Sequence, residues 1–492
     1  MTRLPPGASP GGFSRLQVIA EQLGLRRCSI SCGRVRGRVL ITSHAFPPDP
    51  PPMSKPSSPA PYKPEPITGY TEWLPEARIV EQRWMDHIRK VFESYGFCNI
   101  ETPAVEEIEV LSAKGGDTEK EIYALRRLYD APQDAEPRVA LHYDLTVPMA
   151  RYVAQHYNDL VFPFKRYQMQ KAWRGERPQE GRFREFYQCD IDVIDNEEVS
   201  KSFDAELPII VYEVLQGLGV GPFSINVNNR KILQGFYQGL GIEKITEAIR
   251  IADKFDKIGA DGVRKSLVEQ LQMPENVAAK CVALAQIRTS DLGFVEQVRA
   301  LGVQSELLDE GIEELRFVID HMKDIPAGHI WADLSIARGL DYYTGTVYEG
   351  KLLDYPGYPS VCSGGRYENL VGAYLRKKLP GVGMSIGLTR IFSKLLKEGK
   401  LPVGPKSSTQ LLVVYPQGAA RDDVRRVAAH FRSRGVNVEM YHEDKKTPKQ
   451  LQYAVRKGIP YVLFPGADGA PHQVKTMATG EQVEVSADWL PA

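Results

Sequence analysis

Between Phe164 and Asp195 the chain reads FKRYQMQKAWRGERPQEGRFREFYQCDIDVID, and this stretch limits the fold more than any other. Tyr167, Met169 and Trp173 alternate with polar neighbours, and the alternation resumes from Phe183 to Val193. A period of two describes strands rather than helices, so the segment is expected to form two strands joined by a turn. The turn, Glu176-Arg177-Pro178-Gln179-Glu180-Gly181-Arg182, gathers charge, Pro and Gly as a binding loop does. Alternation puts Arg174 on one face of the first strand, and Gln188, Asp190 and Asp192 on one face of the second. Such a face is costly to bury without a polar ligand. It is equally at home as the solvated side of an antiparallel hairpin. Pattern alone leaves both readings open.

Other stretches narrow the choice. The apolar residues Ile79, Trp84, Ile88, Val91 and Phe92 recur at helical spacing between Glu72 and Phe92, and Tyr95-Gly96-Phe97 stops them. Cys98 to Pro103 reads as a short strand. Arg138 to His156 reads as a strand entering a helix, with Tyr143-Asp144-Leu145-Thr146 at the junction. Asp144 there suits a helix cap as well as a ligand contact. Asn196 to Leu218 is helical in pattern, Phe223 to Asn229 is strand-like, and Arg230 to Lys323 is almost wholly helical, for example Ile245 to Phe255 and Val277 to Ile287. Trp331 to Gly350 contains Arg338-Gly-Leu-Asp-Tyr342-Tyr343-Thr-Gly, a cation beside aromatic walls. Ser363-Gly-Gly-Arg-Tyr-Glu368 carries paired glycines that allow backbone to approach a ligand closely. Pro380 to Leu396 is a Gly-rich strand feeding a helix near Arg390.

These motifs, in this order, resemble the histidyl-tRNA synthetase family of class II aminoacyl-tRNA synthetases. Arg174-Gly-Glu-Arg-Pro with Gly181-Arg-Phe-Arg-Glu-Phe-Tyr-Gln188 resembles motif 2, the helix–strand unit around Phe92 to Pro103 resembles motif 1, and Pro380 to Leu396 resembles motif 3. The family usually has Glu where this chain has Thr389. The resemblance implies an α+β fold: an antiparallel catalytic sheet flanked by helices over about 67–399, with a helical insertion at about 230–325. Beyond the linker Lys400 to Ser408, strands and helices alternate as in a small α/β domain. This part, 408–492, resembles the family's anticodon-binding domain.

The resemblance further implies ATP-dependent joining of L-histidine to tRNA(His) through a histidyl-adenylate, with Mg²⁺ on the phosphates, in a cytoplasmic homodimer. It assigns Arg174 and Arg338 to catalysis. It assigns Asp144, Leu145, Thr146, Arg174, Gln188, Asp192, Arg338, Tyr342 and Tyr343 to histidine, with Asp192 and Tyr343 on the imidazole. Arg174, Glu176, Arg182 and Arg390 fall to ATP, Glu176 on the adenine amino group and Arg182 and Arg390 on the γ-phosphate. A catalytically silent relative, the synthetase-like regulatory subunit of histidine biosynthesis, is the alternative. It would be expected to lose the ATP arginines and the last domain, and this chain has both.

Composition adds limits. Lys+Arg equals Asp+Glu at 62 each, so RNA would be held by local patches and not by net charge. No apolar run approaches the ~20 residues of a membrane helix. The six cysteines are scattered, and Cys28 and Cys32 lack the spacing of a metal or redox pair. Residues 1–66 are expected to be a disordered extension. The first part is Arg-containing and acid-poor, and Pro47 to Pro66 is half proline. It reads as a transit peptide or as a plain extension with Met53 as the working start.

Overall fold

The hairpin forms where alternation places it, as β5 (Phe164–Trp173) and β6 (Glu185–Ile194), paired antiparallel in unbroken register from Phe164 opposite Ile194 to Trp173 opposite Glu185. The computed structural model describes residues 63–112, 117–127, 136–337, 343–370, 372, 374, 377–466 and 470–491. Residues 1–62 of the N-terminal extension, with Cys28, Cys32 and Met53, lie outside them, as do Arg338 and Tyr342.

Nine strands make the main sheet. In chain order they are β1 (Cys98–Asn99), β5, β6, β7 (Phe223–Asn229), β8 (Arg288–Thr289), β9 (Ile330–Asp333), β10 (Tyr343–Leu352), β11 (Cys362–Tyr367) and β12 (Gly381–Ile386). In space the order is β1-β5-β6-β12-β11-β10-β7-β9-β8. The run from β5 to β7 is antiparallel throughout, whereas β1 and β9 join in parallel. The antiparallel core expected from the sequence is therefore present, with a parallel strand on each flank.

One face of this sheet is the main core. Tyr167 on β5 and Cys189, Ile191 and Val193 on β6 point into it. Against them lies the helix Pro75–Ser94, which buries Ala77, Val80, Trp84, Ile88 and Phe92 at helical spacing. Val80 is buried where Ile79 was expected, because the stripe runs from Ala77 through Val80 to Trp84. Burying a side chain such as Phe92 completely stabilises the fold by ~1.5–3 kcal/mol. A second helix, Ser202–Leu218, covers the same face; residues 196–201, expected to continue it, do not. The helical insertion is present as Arg230–Gly239, Ile245–Ala252, Phe255–Leu271, Glu275–Ala285, Phe294–Ala300 and Glu306–His321.

Of a three-stranded sheet, β2 (Val105–Glu107), β4 (Val139–Leu141) and β3 (Ala124–Leu125), only β4 was read from the sequence, as the strand entering a helix. The other two, β2 and β3, are three and two residues long, too short for alternation to show. The last region forms a five-stranded sheet ordered β14-β13-β15-β16-β17: β13 (Leu411–Val413), β14 (Val438–Met440), β15 (Tyr461–Phe464), β16 (His472–Thr476) and β17 (Gln482–Val485). The helices Arg421–Ser433 and Thr447–Lys457 supply Phe431 to the apolar cluster around Leu411 and Val413, and Ala454 to the cluster around Leu412 and Val414. The antiparallel pair β16 and β17 was also not expected, since its exposed polar residues hide the pattern.

Candidate active site

The other face of β6 is polar, and the register explains how it is assembled. Asp192, Asp190 and Gln188 stand opposite Arg166, Gln168 and Gln170 of β5 on one side. Across the other edge, Gly383 and Ser385 of β12 face Asp192 and Asp190. Arg166 is wholly buried, which a guanidinium tolerates only with a charged partner. Its Nη2 lies 2.6 Å from Oδ2 of Asp192, and Tyr367 donates its hydroxyl to Oδ1 of the same carboxylate at 3.0 Å. Gln168 passes the chain of contacts on to Thr102 at 2.9 Å.

Above this face is a cavity of 210 Å³ lined by Tyr143, Asp144, Thr146, Arg174, Gln188, Asp190, Asp192, Tyr343 and Ser385 among others. Three carboxylates thus meet around one cavity. Burial pushes the Asp190 carboxyl up to about 7 and Asp192 up to about 6, against the opposing charge of Arg166. Gln188 donates to Ser385 Oγ at 2.8 Å, while its Oε1 and the Oδ1 of Asp190 have no hydrogen-bond partner among the described residues.

A second cavity of 90 Å³ shares Arg174, Gln188, Ser363 and Ser385 with the first, and adds Glu176, Arg182, Phe186 and Arg390. This one is basic. Arg174 stands at the junction, its guanidinium 4.3 Å from the Tyr143 ring centroid and 5.0 Å from that of Phe186. Its Nε donates to the Tyr143 carbonyl at 3.2 Å. Two rings and a backbone oxygen therefore hold the cation in place. Arg390 donates from Nε to the Gly181 carbonyl at 2.7 Å and from Nη1 to the Ser360 carbonyl, tying the charged turn to the end of β11. Burial and the neighbouring Arg174 pull it down to about 10, the signature of cations gathered without enough anions.

Of the residues singled out from sequence, Asp144, Thr146, Arg174, Gln188, Asp192 and Tyr343 line the first cavity, and Arg174, Glu176, Arg182 and Arg390 the second. Leu145 lines neither; it is wholly buried before the helix Thr146–Gln155. Arg338 and Tyr342 fall outside the described residues. The chain leading to them is held, however: Asn228 donates to the Ile336 carbonyl at 2.7 Å and Arg230 to the Ala337 carbonyl at 3.0 Å. Asp144 is both a cap and a cavity residue, since Oδ1 accepts from the Val147 N–H at 3.1 Å.

Three positions noted in the sequence gain a structural account. The glycines of Ser363 to Glu368 bring strand and ring close together. A Cβ on Gly364 would lie 2.1 Å from the Gly383 oxygen, and one on Gly365 2.7 Å from the Tyr343 ring, so these glycines admit β12 and Tyr343. Glu176 and Arg182, both assigned to ATP by the resemblance, line the second cavity together and pair with each other there at 3.0 Å. Thr389, in the position where Glu was expected, is buried and accepts the Tyr187 N–H at 2.8 Å, fastening the helix Leu388–Lys397 to β6 beside Gln188.

Reading the sequence missed Arg166, Tyr367 and Ser385 and left Asp190 unassigned. Alternation on β5 could have found Arg166, since it shares a face with Gln168 and Gln170. Tyr367 and Ser385 come from strands paired far along the chain, and local pattern gives no sign of that pairing.

Comparison with known proteins agrees with this geometry. Residues 69–391 match the family model described as histidyl-tRNA synthetase, and 410–492 match the anticodon binding domain. A histidine–tRNA ligase from Thermobifida fusca is 57% identical over 430 residues, which is 87% of this chain and 98% of the relative. One from Micrococcus luteus is 46% identical over 440 residues, 86% of this chain and 96% of the relative. The crystal structure of histidyl-tRNA synthetase from Nostoc superposes with a TM-score of 0.79 at 41% identity, covering 87% of this chain and 98% of that one. With both matched regions in order and these relatives covered almost end to end, the chain belongs to the histidyl-tRNA synthetase family.

Proposed function

We propose that this protein activates L-histidine with ATP and transfers it to tRNA(His). The observation that carries the reading is the pair of cavities, one lined by carboxylates and one by arginines, with Arg174 on the wall between them. An amino acid brings an ammonium and a carboxylate, and ATP brings only negative charge. Asp144, Thr146 and Gln188 offer acceptors for an α-ammonium with three donors. Asp192 and Tyr343 would pair the imidazole nitrogens. Sites that pair both ring nitrogens reject isosteres lacking them by a large factor.

In the activating step an oxygen of the histidine carboxylate forms a bond to the α-phosphorus, and the bond from that phosphorus to the pyrophosphate oxygen breaks. No side chain need be a nucleophile. The work is alignment and neutralisation of two anions. Arg174, already oriented by Tyr143 and Phe186, would contact the carboxylate and the α-phosphate. Arg390 and Arg182 would take the γ-phosphate, and Glu176 the adenine amino group once Arg182 turns to the nucleotide. Arg338 is assigned by the family motif to the opposite side of the phosphorus, and Leu145 and Tyr342 to the amino-acid pocket.

Among the described residues no cluster of three or more His, Cys, Asp or Glu side chains could cage a metal. The described residues therefore do not fit a dedicated Mg²⁺ site. Any Mg²⁺ would enter on the triphosphate, and no step is routed through it. Binding of tRNA(His) by residues 408–492 and the helical insertion, assembly as a homodimer and a cytoplasmic location rest on family membership. No helix among the described residues is long and apolar enough to cross a membrane.

The test is ATP–pyrophosphate exchange with each of the twenty amino acids, followed by charging of tRNA(His). Exchange with histidine alone is the expected result. Histidine binding without exchange would sink the proposal and favour the regulatory-subunit alternative.

A further inference from the structure

The supports of Arg174 lead away from both cavities, to a residue that lines neither. Three consecutive N–H groups at the end of β5 go to three separate stretches of chain. Trp173 donates to the His142 carbonyl at 3.1 Å, Arg174 to the Arg184 carbonyl at 2.9 Å, and Gly175 to the Glu121 carbonyl at 2.7 Å. The backbone is thus fixed on each side of Arg174. The last contact is a close one, since a Cβ on Gly175 would lie 3.1 Å from the Glu121 oxygen.

The side chain needs a hold of its own. Its guanidinium lies against the Tyr143 ring and donates from Nε to the Tyr143 carbonyl. The ring is a firm support only if its far end is held, and there the Tyr143 hydroxyl donates to Oε2 of Glu121 at 3.3 Å. Burial raises Tyr143 above its ordinary 10, so the hydroxyl keeps the proton that it gives. Glu121 therefore meets both supports of Arg174: Gly175 through its carbonyl and Tyr143 through its carboxylate.

Charge argues that this carboxylate is there to hold and not to attract. Glu121 closes the short helical turn Asp117–Glu121 and lines neither cavity, although the next residue, Ile122, lines the first. A negative charge behind a cation that is to receive two anions weakens its pull on them. A neutral side chain would serve affinity better. What the carboxylate gives in exchange is a stronger acceptor for the hydroxyl, and so a firmer ring.

We propose that Glu121 is a positioning residue for the activating step: it fixes the Tyr143 ring that carries Arg174, so that the guanidinium is aligned before the carboxylate and the α-phosphate arrive. The proposal rests on the role given to Arg174 above. Alignment of this kind acts on the transition state more than on the binding of either substrate, so its loss is read in kcat.

The experiment measures histidine-dependent ATP–pyrophosphate exchange on the full chain. It compares wild type, Glu121→Ala, Glu121→Gln, Tyr143→Phe and the double variant of Glu121→Ala with Tyr143→Phe, with thermal unfolding recorded in parallel. Glu121→Ala and Tyr143→Phe are each expected to lower kcat ~10-fold, the lower end for losing a hydrogen bond to a charged group, with little change in either KM. Glu121→Gln keeps an acceptor and is expected to recover part of that loss. The double variant is expected to lose no more than either single one, because both remove the same bond. Losses that multiply to ~100-fold overturn the proposal, since Glu121 would then act by another route. An unchanged kcat in Glu121→Ala, a change confined to KM, or a Glu121→Gln no better than Glu121→Ala overturns it too. Should Glu121→Ala fail to fold, the same cycle is run with Glu121→Gln and judged in the same way. Exchange by the wild type separates the two readings. Without it the function proposed above falls, and this role with it; with it, only the role of Glu121 is at stake.

Discussion

The two cavities that meet at Arg174 are built on opposite plans. In the acidic one the charges are fixed by partners deep in the sheet: Arg166 of β5, itself held by Gln168, and Tyr367 of β11 brace Asp192 from two strands. In the basic one the arginines rest on substitutes, Arg182 on Glu176 and Arg390 on two backbone carbonyls. A rigid pocket suits a small ligand that must be told from nineteen others. A pocket whose cations exchange partners suits a large polyanion that must enter and then leave in pieces.

The sharpest way to break the contrast is to remove the residue both sides share. Arg174→Ala is expected to lower histidine-dependent exchange by ~10²–10³-fold, because it strips preorganised positive charge from the reacting centre. Steady-state exchange against histidine and ATP would show the loss mainly in kcat; a loss confined to either KM would place Arg174 in one pocket only. Next in size, Gly383→Ala drives a methyl group into Asp192. Histidine affinity should fall ~100-fold, as misplacing a site group by an ångström does, with ATP affinity retained in calorimetry. A matching loss of ATP affinity would mean the acidic pocket is not independent of its neighbour.

Arg390→Lys tests the basic side. It keeps the charge and loses the fork that spans the Gly181 and Ser360 carbonyls. The KM for ATP is expected to rise ~10-fold while that for histidine stays unchanged. The smallest effect concerns pH. The folded-state pKa values of Asp190 and Asp192, about 7 and about 6, lie above the ordinary 3.8, so their contribution to stability is fully present below about pH 4 and is lost as pH rises through 6 and 7. Histidine prefers the charged carboxylates. The rise in melting temperature that it produces should therefore be larger at pH 8 than at pH 5.5. A shift independent of pH would mean that neither carboxylate changes its charge between those values.

The sequence spoke most clearly where one strand carries the message by itself. Gln188 and Asp192 could be placed on one face because alternation along β6 requires it. The motifs that resemble the family marked Arg174, Arg182 and Arg390 as a set. What could not be read is what pairing supplies. Tyr367 reaches Asp192 across β12, and Thr389 reaches Tyr187 from 202 positions along the chain. The double glycine in β11 was legible as a close approach but not as an approach of strand to strand, because a missing Cβ does not say what fills its place. Two strands of the three-stranded sheet escaped for want of length.

The bonds from Asn228 and Arg230 to the carbonyls of Ile336 and Ala337 carry a practical consequence. They close a stem: the chain leaves through the six helices between Arg230 and His321 and returns to be fastened beside its point of departure. For anyone exchanging this segment between relatives, the seam belongs beyond Arg230 and before Ile336. A chimera cut there keeps both ties, and one cut at Val227 would sever the knot that holds the returning strand.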